Sequence, residues 1–174
     1  MKSARRTIKQ RLYGLSRLPQ QLSRARYLRG HGVHSPFVYG LVREVFMHHG
    51  FITRDTFYTE RLYDTLTEWG VPHRRAVELA NLCAHCDYRD ISCGEAYGGD
   101  FIVVPQAVAP AEFAEYVRVA RECGATLAVM APYLDRERAH VCREIVAAHN
   151  GTTIDKWDYL LIFNNHLPKQ HFKL

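Results

Sequence analysis

Apolar positions follow two periods along this chain, and their alternation predicts an α/β protein. From Gly99 to Pro132 the order is strand (Asp100–Val104), helix (Pro110–Cys123), strand (Thr126–Met130). Both strand segments are short and almost wholly apolar, as expected where helices cover both faces of a parallel sheet. Between them Phe113, Tyr116, Val117 and Ala120 recur at three and four residues, the apolar stripe of an amphipathic helix. Gly124 offers the backbone freedom of a left-handed C-cap. Strand, helix and strand make a βαβ unit, which is right-handed in nearly all proteins.

The flanks extend the same alternation. Ser35 and Pro36 give an N-cap and a first-turn proline, and Phe37, Val38, Leu41, Val42, Val45 and Phe46 form a helical stripe about three turns long. A second helix is predicted over Thr56–Trp69, with Tyr58, Leu62, Leu66 and Trp69 on one side and Gly70 as its stop. A third runs from Pro72 to about Cys86. Asp135 caps a fourth that continues to about His149, turning Ala139, Cys142, Ile145 and Val146 inward. Thr152–Asp155 and Tyr159–Phe163 read as the last two strands, joined by a short turn at Lys156–Asp158. Gly94–Gly99 has the composition of a turn ahead of the Asp100 strand. The expected sheet has four strands.

Charge divides the chain differently. Residues 1–43 carry ten basic side chains and no acid, so the other thirteen basic groups face all 18 acids and leave residues 44–174 at −5. We expect a basic amphipathic helical arm over residues 1–30 and a single α/β domain over 31–174. In the arm Ile8, Leu12, Leu15 and Leu22 fall at helical spacing, and Pro19 splits the segment in two. Its apolar stripe suits packing on the domain. Its basic face, including Arg5, Arg6, Lys9, Arg11, Arg24, Arg26 and Arg29, suits nucleic-acid phosphates or an anionic membrane. No apolar run approaches the roughly 20 residues that cross a bilayer, and the start lacks a signal-peptide core, so a cytoplasmic protein is expected.

Two clusters are candidates for chemistry. His31, His34 and Ser35 lie at the start of the first helix, where imidazoles and a helix N-terminus together can receive a carboxylate or phosphate. Cys83, His85, Cys86 and Cys93 have a spacing that a three-thiolate, one-imidazole zinc site can use. The same cysteines also suit buried structural thiols, and Cys83 and Cys86 a redox pair.

The segment Arg26–Phe46, with its run His31-Gly-Val-His-Ser-Pro-Phe-Val-Tyr39, resembles the N-terminal segment of a group of bacterial class I S-adenosylmethionine-dependent methyltransferases. The end of the chain, Tyr159–Leu174, is similar to the last strand and tail of the same group. The resemblance implies a truncated Rossmann-like sheet, mixed but mostly parallel. Its strands would correspond to the fourth, fifth, seventh and sixth of the methyltransferase fold, with Tyr159–Phe163 antiparallel to its neighbours. Val77-Glu78-Leu79 echoes the family's first strand, yet Ala80 and Leu82 stand where its cofactor turn has glycine. Only glycine lets the backbone approach the cofactor closely there. The expected function is therefore that of a catalytically degenerate methyltransferase-like protein, binding a protein partner or itself, without a cofactor. An active S-adenosylmethionine-dependent enzyme and a zinc-stabilised nucleic-acid- or membrane-associated module are the alternatives.

Overall fold

The computed structural model describes Thr7, Lys9, Gln10, Tyr13, residues 34–52 and residues 57–174. Their longer elements are helix α1 (Pro36–Leu41, continued by a π-helical turn Val42–Phe46), α2 (Phe57–Glu68), α3 (His73–His85), α4 (Phe113–Cys123) and α5 (Arg136–Ala148). The strands are β1 (Ile91–Cys93), β2 (Phe101–Val104), β3 (Thr126–Met130), β4 (Thr152–Asp155), β5 (Tyr159–Phe163) and β6 (Gln170–Lys173). They form one mixed sheet in the order β1-β2-β3-β5-β4-β6. β1, β2 and β3 are parallel, β5 is antiparallel to both β3 and β4, and β6 is parallel to β4.

Continuously apolar strands here serve two cores at once. Phe101, Val103, Ala128, Met130, Ile154, Tyr159, Leu161 and Phe163 face α1, α2 and α3. Ile102, Val104, Leu127, Val129, Leu160 and Ile162 face α4 and α5. Neighbouring side chains point to opposite faces of a strand, so only a run apolar throughout fills both layers. Helices thus cover both faces of the sheet.

Local signals set most element ends. Gly124 closes α4 at φ 74°, and the Asp135 carboxylate accepts from the Arg138 amide to start α5. Ser35 caps α1, its hydroxyl accepting from the Val38 amide at 3.4 Å. The predicted three-turn helix does not stay α-helical, because from Val42 to Phe46 it widens into a π turn. Holding an extra residue per turn, that segment buries Val42, Val45 and Phe46 together. Pro110–Glu112 is a 3-10 turn rather than the first turn of α4, which starts at Phe113.

The sheet has six strands and not four. β1 is three residues long with a polar centre, Ser92, whose hydroxyl donates to the Glu95 carbonyl at 2.7 Å. β6 alternates in exposure along Gln170–Lys173, the pattern of an edge strand. No helix separates parallel β1 and β2. Seven residues return the chain, and the Asp100 carboxylate accepts from the amides of Arg89 and Asp90 at 2.9 and 3.0 Å. Gly99 makes that return possible: at φ 157°, a Cβ there would lie 2.8 Å from the Asp90 carbonyl oxygen. Among the described residues no helix is long and apolar enough to cross a membrane.

Candidate functional site

Open α/β sheets take ligands at the carboxyl ends of their strands. In this protein that edge includes the ends of β2, β3 and β4 and the start of antiparallel β5, and its own side chains converge on it.

Helix α3 supplies the central group. Glu78 is fully buried, one turn beyond Arg74 and Arg75. Arg75 Nη1 donates to both carboxylate oxygens of Glu78 at 2.6 and 2.8 Å, and its Nε donates to Asp158 at 2.6 Å. Tyr159, buried at the start of β5, donates its hydroxyl to Glu78 Oε2 at 2.8 Å. Arg74 Nε lies 3.4 Å from Glu78 Oε1. Lys156, just beyond β4 and only 5% exposed, holds Nζ 3.9 Å from Glu78 Oε2 and 4.3 Å from the centre of the Phe46 ring. Three cations and two carboxylates therefore meet between α3, the π turn and the β4–β5 turn.

Burial and charge pull these groups in opposite directions. Burial lowers Lys156 to about 8, outweighing the attraction of Glu78. Burial also pushes the Tyr159 hydroxyl well up, which keeps it a donor to Glu78. For Arg75 burial acts downward, but Glu78 and Asp158 together prevail and hold its proton more tightly than usual.

A second set lies on the α4–α5 side of the same edge. Arg138, 1% exposed, donates five hydrogen bonds to the carbonyls of Met130, Pro105, Gln106 and Val108, at 2.7 to 3.4 Å. Its guanidinium carbon sits 4.6 Å from the centre of the Phe113 ring, and burial lowers its pKa. One side chain thus ties together the chain segments leaving β2 and β3.

The β4–β5 turn between these sets is strained. Trp157 has φ 68° and Ala131, after β3, has φ 47°, both in the region that side chains rarely enter. The Asp158 amide donates to the Lys156 carbonyl two residues back at 2.9 Å, a γ-turn of the unfavourable hand. Asp155 accepts from the Trp157 amide at 2.9 Å and from the Tyr133 hydroxyl, while the Tyr133 and Trp157 rings stand 4.8 Å apart. Strain of this kind costs about 1–3 kcal/mol per residue and persists only where the surroundings enforce it.

The residues singled out by sequence are distributed differently. Ser35 is buried as the α1 cap and His34 is exposed beside it, whereas His31 lies outside the described residues. Cys83 is buried on α3, Cys86 follows the last turn of that helix, Cys93 ends β1 and His85 is exposed. The three cysteines are free thiols, and burial raises the pKa of Cys83 and Cys86 and lifts Cys93 to about 11. Among the described residues no three His, Cys, Asp or Glu side chains are placed to hold a metal ion. In the basic arm, Lys9 is exposed, while Arg5, Arg6, Arg11, Arg24, Arg26 and Arg29 lie outside the described residues.

Sequence reasoning did not identify Lys156, Tyr159 and Arg138 as site residues. The i,i+3 and i,i+4 spacing of Arg75 and Arg74 to Glu78 was a readable signal for part of the cluster. Comparison with family models, with curated proteins and with solved structures gives no match in any of the three.

Proposed function

We propose that this chain is a catalytically degenerate relative of class I S-adenosylmethionine-dependent methyltransferases that works as a binding or partner protein. The observation that carries this reading is the state of Val77–Leu82. Where the family's glycine turn would approach the cofactor, these residues form the interior of α3, with Glu78, Ala80 and Leu82 no more than 1% exposed. Glu78 is already engaged by Arg75 and Tyr159. Admitting a nucleoside there would mean unwinding a buried helix and leaving a carboxylate without its partners.

The order β2-β3-β5-β4, with β5 antiparallel, is what the resemblance implies for the fourth, fifth, seventh and sixth strands. It supports kinship in fold without requiring kinship in activity. The partner on this reading is another protein or a second copy of this chain, and the basic arm suits nucleic acid or an anionic membrane.

Calorimetric titration of the full-length protein with S-adenosylmethionine and S-adenosylhomocysteine tests the reading. No binding tighter than about 100 μM, roughly −5.5 kcal/mol, is expected. Tight, saturable binding of either compound overturns the proposal and restores the enzyme reading. Stoichiometric zinc in the same preparation would favour a metal-stabilised module instead.

A further inference from the structure

We propose that Lys156 and the π-helical turn Val42–Phe46 form a pH-sensitive latch over the carboxyl end of the sheet, closed in alkaline solution and loosened when the amine gains its proton. Geometry carries the proposal. The π turn is the segment that lays Phe46 across Lys156, the ring being 4% exposed and 4.3 Å from Nζ. π turns are rare and concentrate where a helix performs a task beyond packing.

The ammonium is incompletely compensated inside the closed latch. From α3 it faces Glu78, whose nearer oxygen is at 3.9 Å, too far for a hydrogen bond, together with the cations of Arg74 and Arg75. From the β4–β5 turn it faces Asp158, and at the start of β5 the Tyr159 hydroxyl is already given to Glu78. From the π turn it receives only the face of the Phe46 ring, 4.3 Å away, while Arg43 and Glu44 are exposed. Glu78 itself is satisfied by Arg75 and Tyr159 whatever the state of Lys156. The lysine can therefore lose its proton without orphaning the carboxylate, and as a neutral amine it meets a far smaller desolvation penalty beneath Phe46 than the ammonium does. Protonated, it gains by reaching water, and the element in its way is the π turn.

Opening returns Lys156 from a site where its pKa is about 8 to its ordinary 10.5. The opening equilibrium should accordingly be about tenfold larger near pH 7 than near pH 9. Hydrogen exchange of the full-length protein, read by mass spectrometry and normalised to intrinsic rates, measures this directly. Peptides spanning residues 38–50 are expected to gain about tenfold in protection between these pH values, while peptides of β2 and β3 change less. Lys156→Met, which fills the same space without a charge, should remove the pH dependence. The proposal fails if the wild-type peptides show no gain, if β2 and β3 gain equally, or if Lys156→Met keeps the response. Should that variant not fold, the contrast between peptides in the wild-type protein decides alone.

Discussion

Replacing Arg138 tests whether one buried guanidinium organises the carboxyl edge. Its five hydrogen bonds reach four carbonyl oxygens on two stretches of chain, one of them at least 30 residues away in sequence. In Arg138→Leu these oxygens lose their charged donor; Pro105 keeps the Val108 amide at 3.2 Å, and an orphaned buried acceptor costs about 1–3 kcal/mol. The low end of that range over the other three oxygens gives roughly 3–5 kcal/mol. Relief of the burial penalty on the guanidinium offsets about 1–2 kcal/mol, leaving a net loss of about 1–4 kcal/mol. A domain of ordinary stability holds only about 5–15 kcal/mol. Arg138→Lys should recover less than half, since a single ammonium cannot reproduce the planar fork that spans the segments after β2 and β3. Equilibrium unfolding in guanidinium chloride, followed by circular dichroism, reports the change as a lower midpoint at unchanged slope. A loss below about 1 kcal/mol for Arg138→Leu, or full recovery by lysine, would refute this account.

Other outcomes follow from local geometry. Gly99→Ala forces a Cβ against the Asp90 carbonyl at 2.8 Å, and should destabilise the protein by about 2–3 kcal/mol, read by the same unfolding assay. His149 is buried with Nε2 3.0 Å from the Phe163 carbonyl, and burial lowers its pKa below 6.5. The unfolded chain therefore binds the proton first: this contribution is intact above pH 6.5 and is lost as pH falls below it, so thermal scans should show His149→Gln flattening the decline. Deleting residues 1–29 should lower the melting temperature if the arm packs on the domain. Unchanged melting with loss of a duplex-DNA affinity whose salt slope is near −5 would show instead that the arm binds about six phosphates.

Periodicity and punctuation in the sequence determined the helices and the central strands. The apolar runs at 101–104, 126–130 and 159–163 can be buried only between two helical layers, and Gly124 and Asp135 mark their helix ends by backbone freedom and side-chain capping. The antiparallel placement of β5, implied by resemblance, also stands. Tertiary structure alone decided the rest. Three residues around a buried Ser92 carry no period, so β1 exists because β2 offers it an edge. β6 likewise forms by pairing with β4. The charged cluster was hidden for a related reason: Glu78 and Tyr159 meet across 81 residues of sequence. A buried charge is stabilised by whichever partners the fold brings within hydrogen-bond reach, and that distance is a property of the packed sheet and helices.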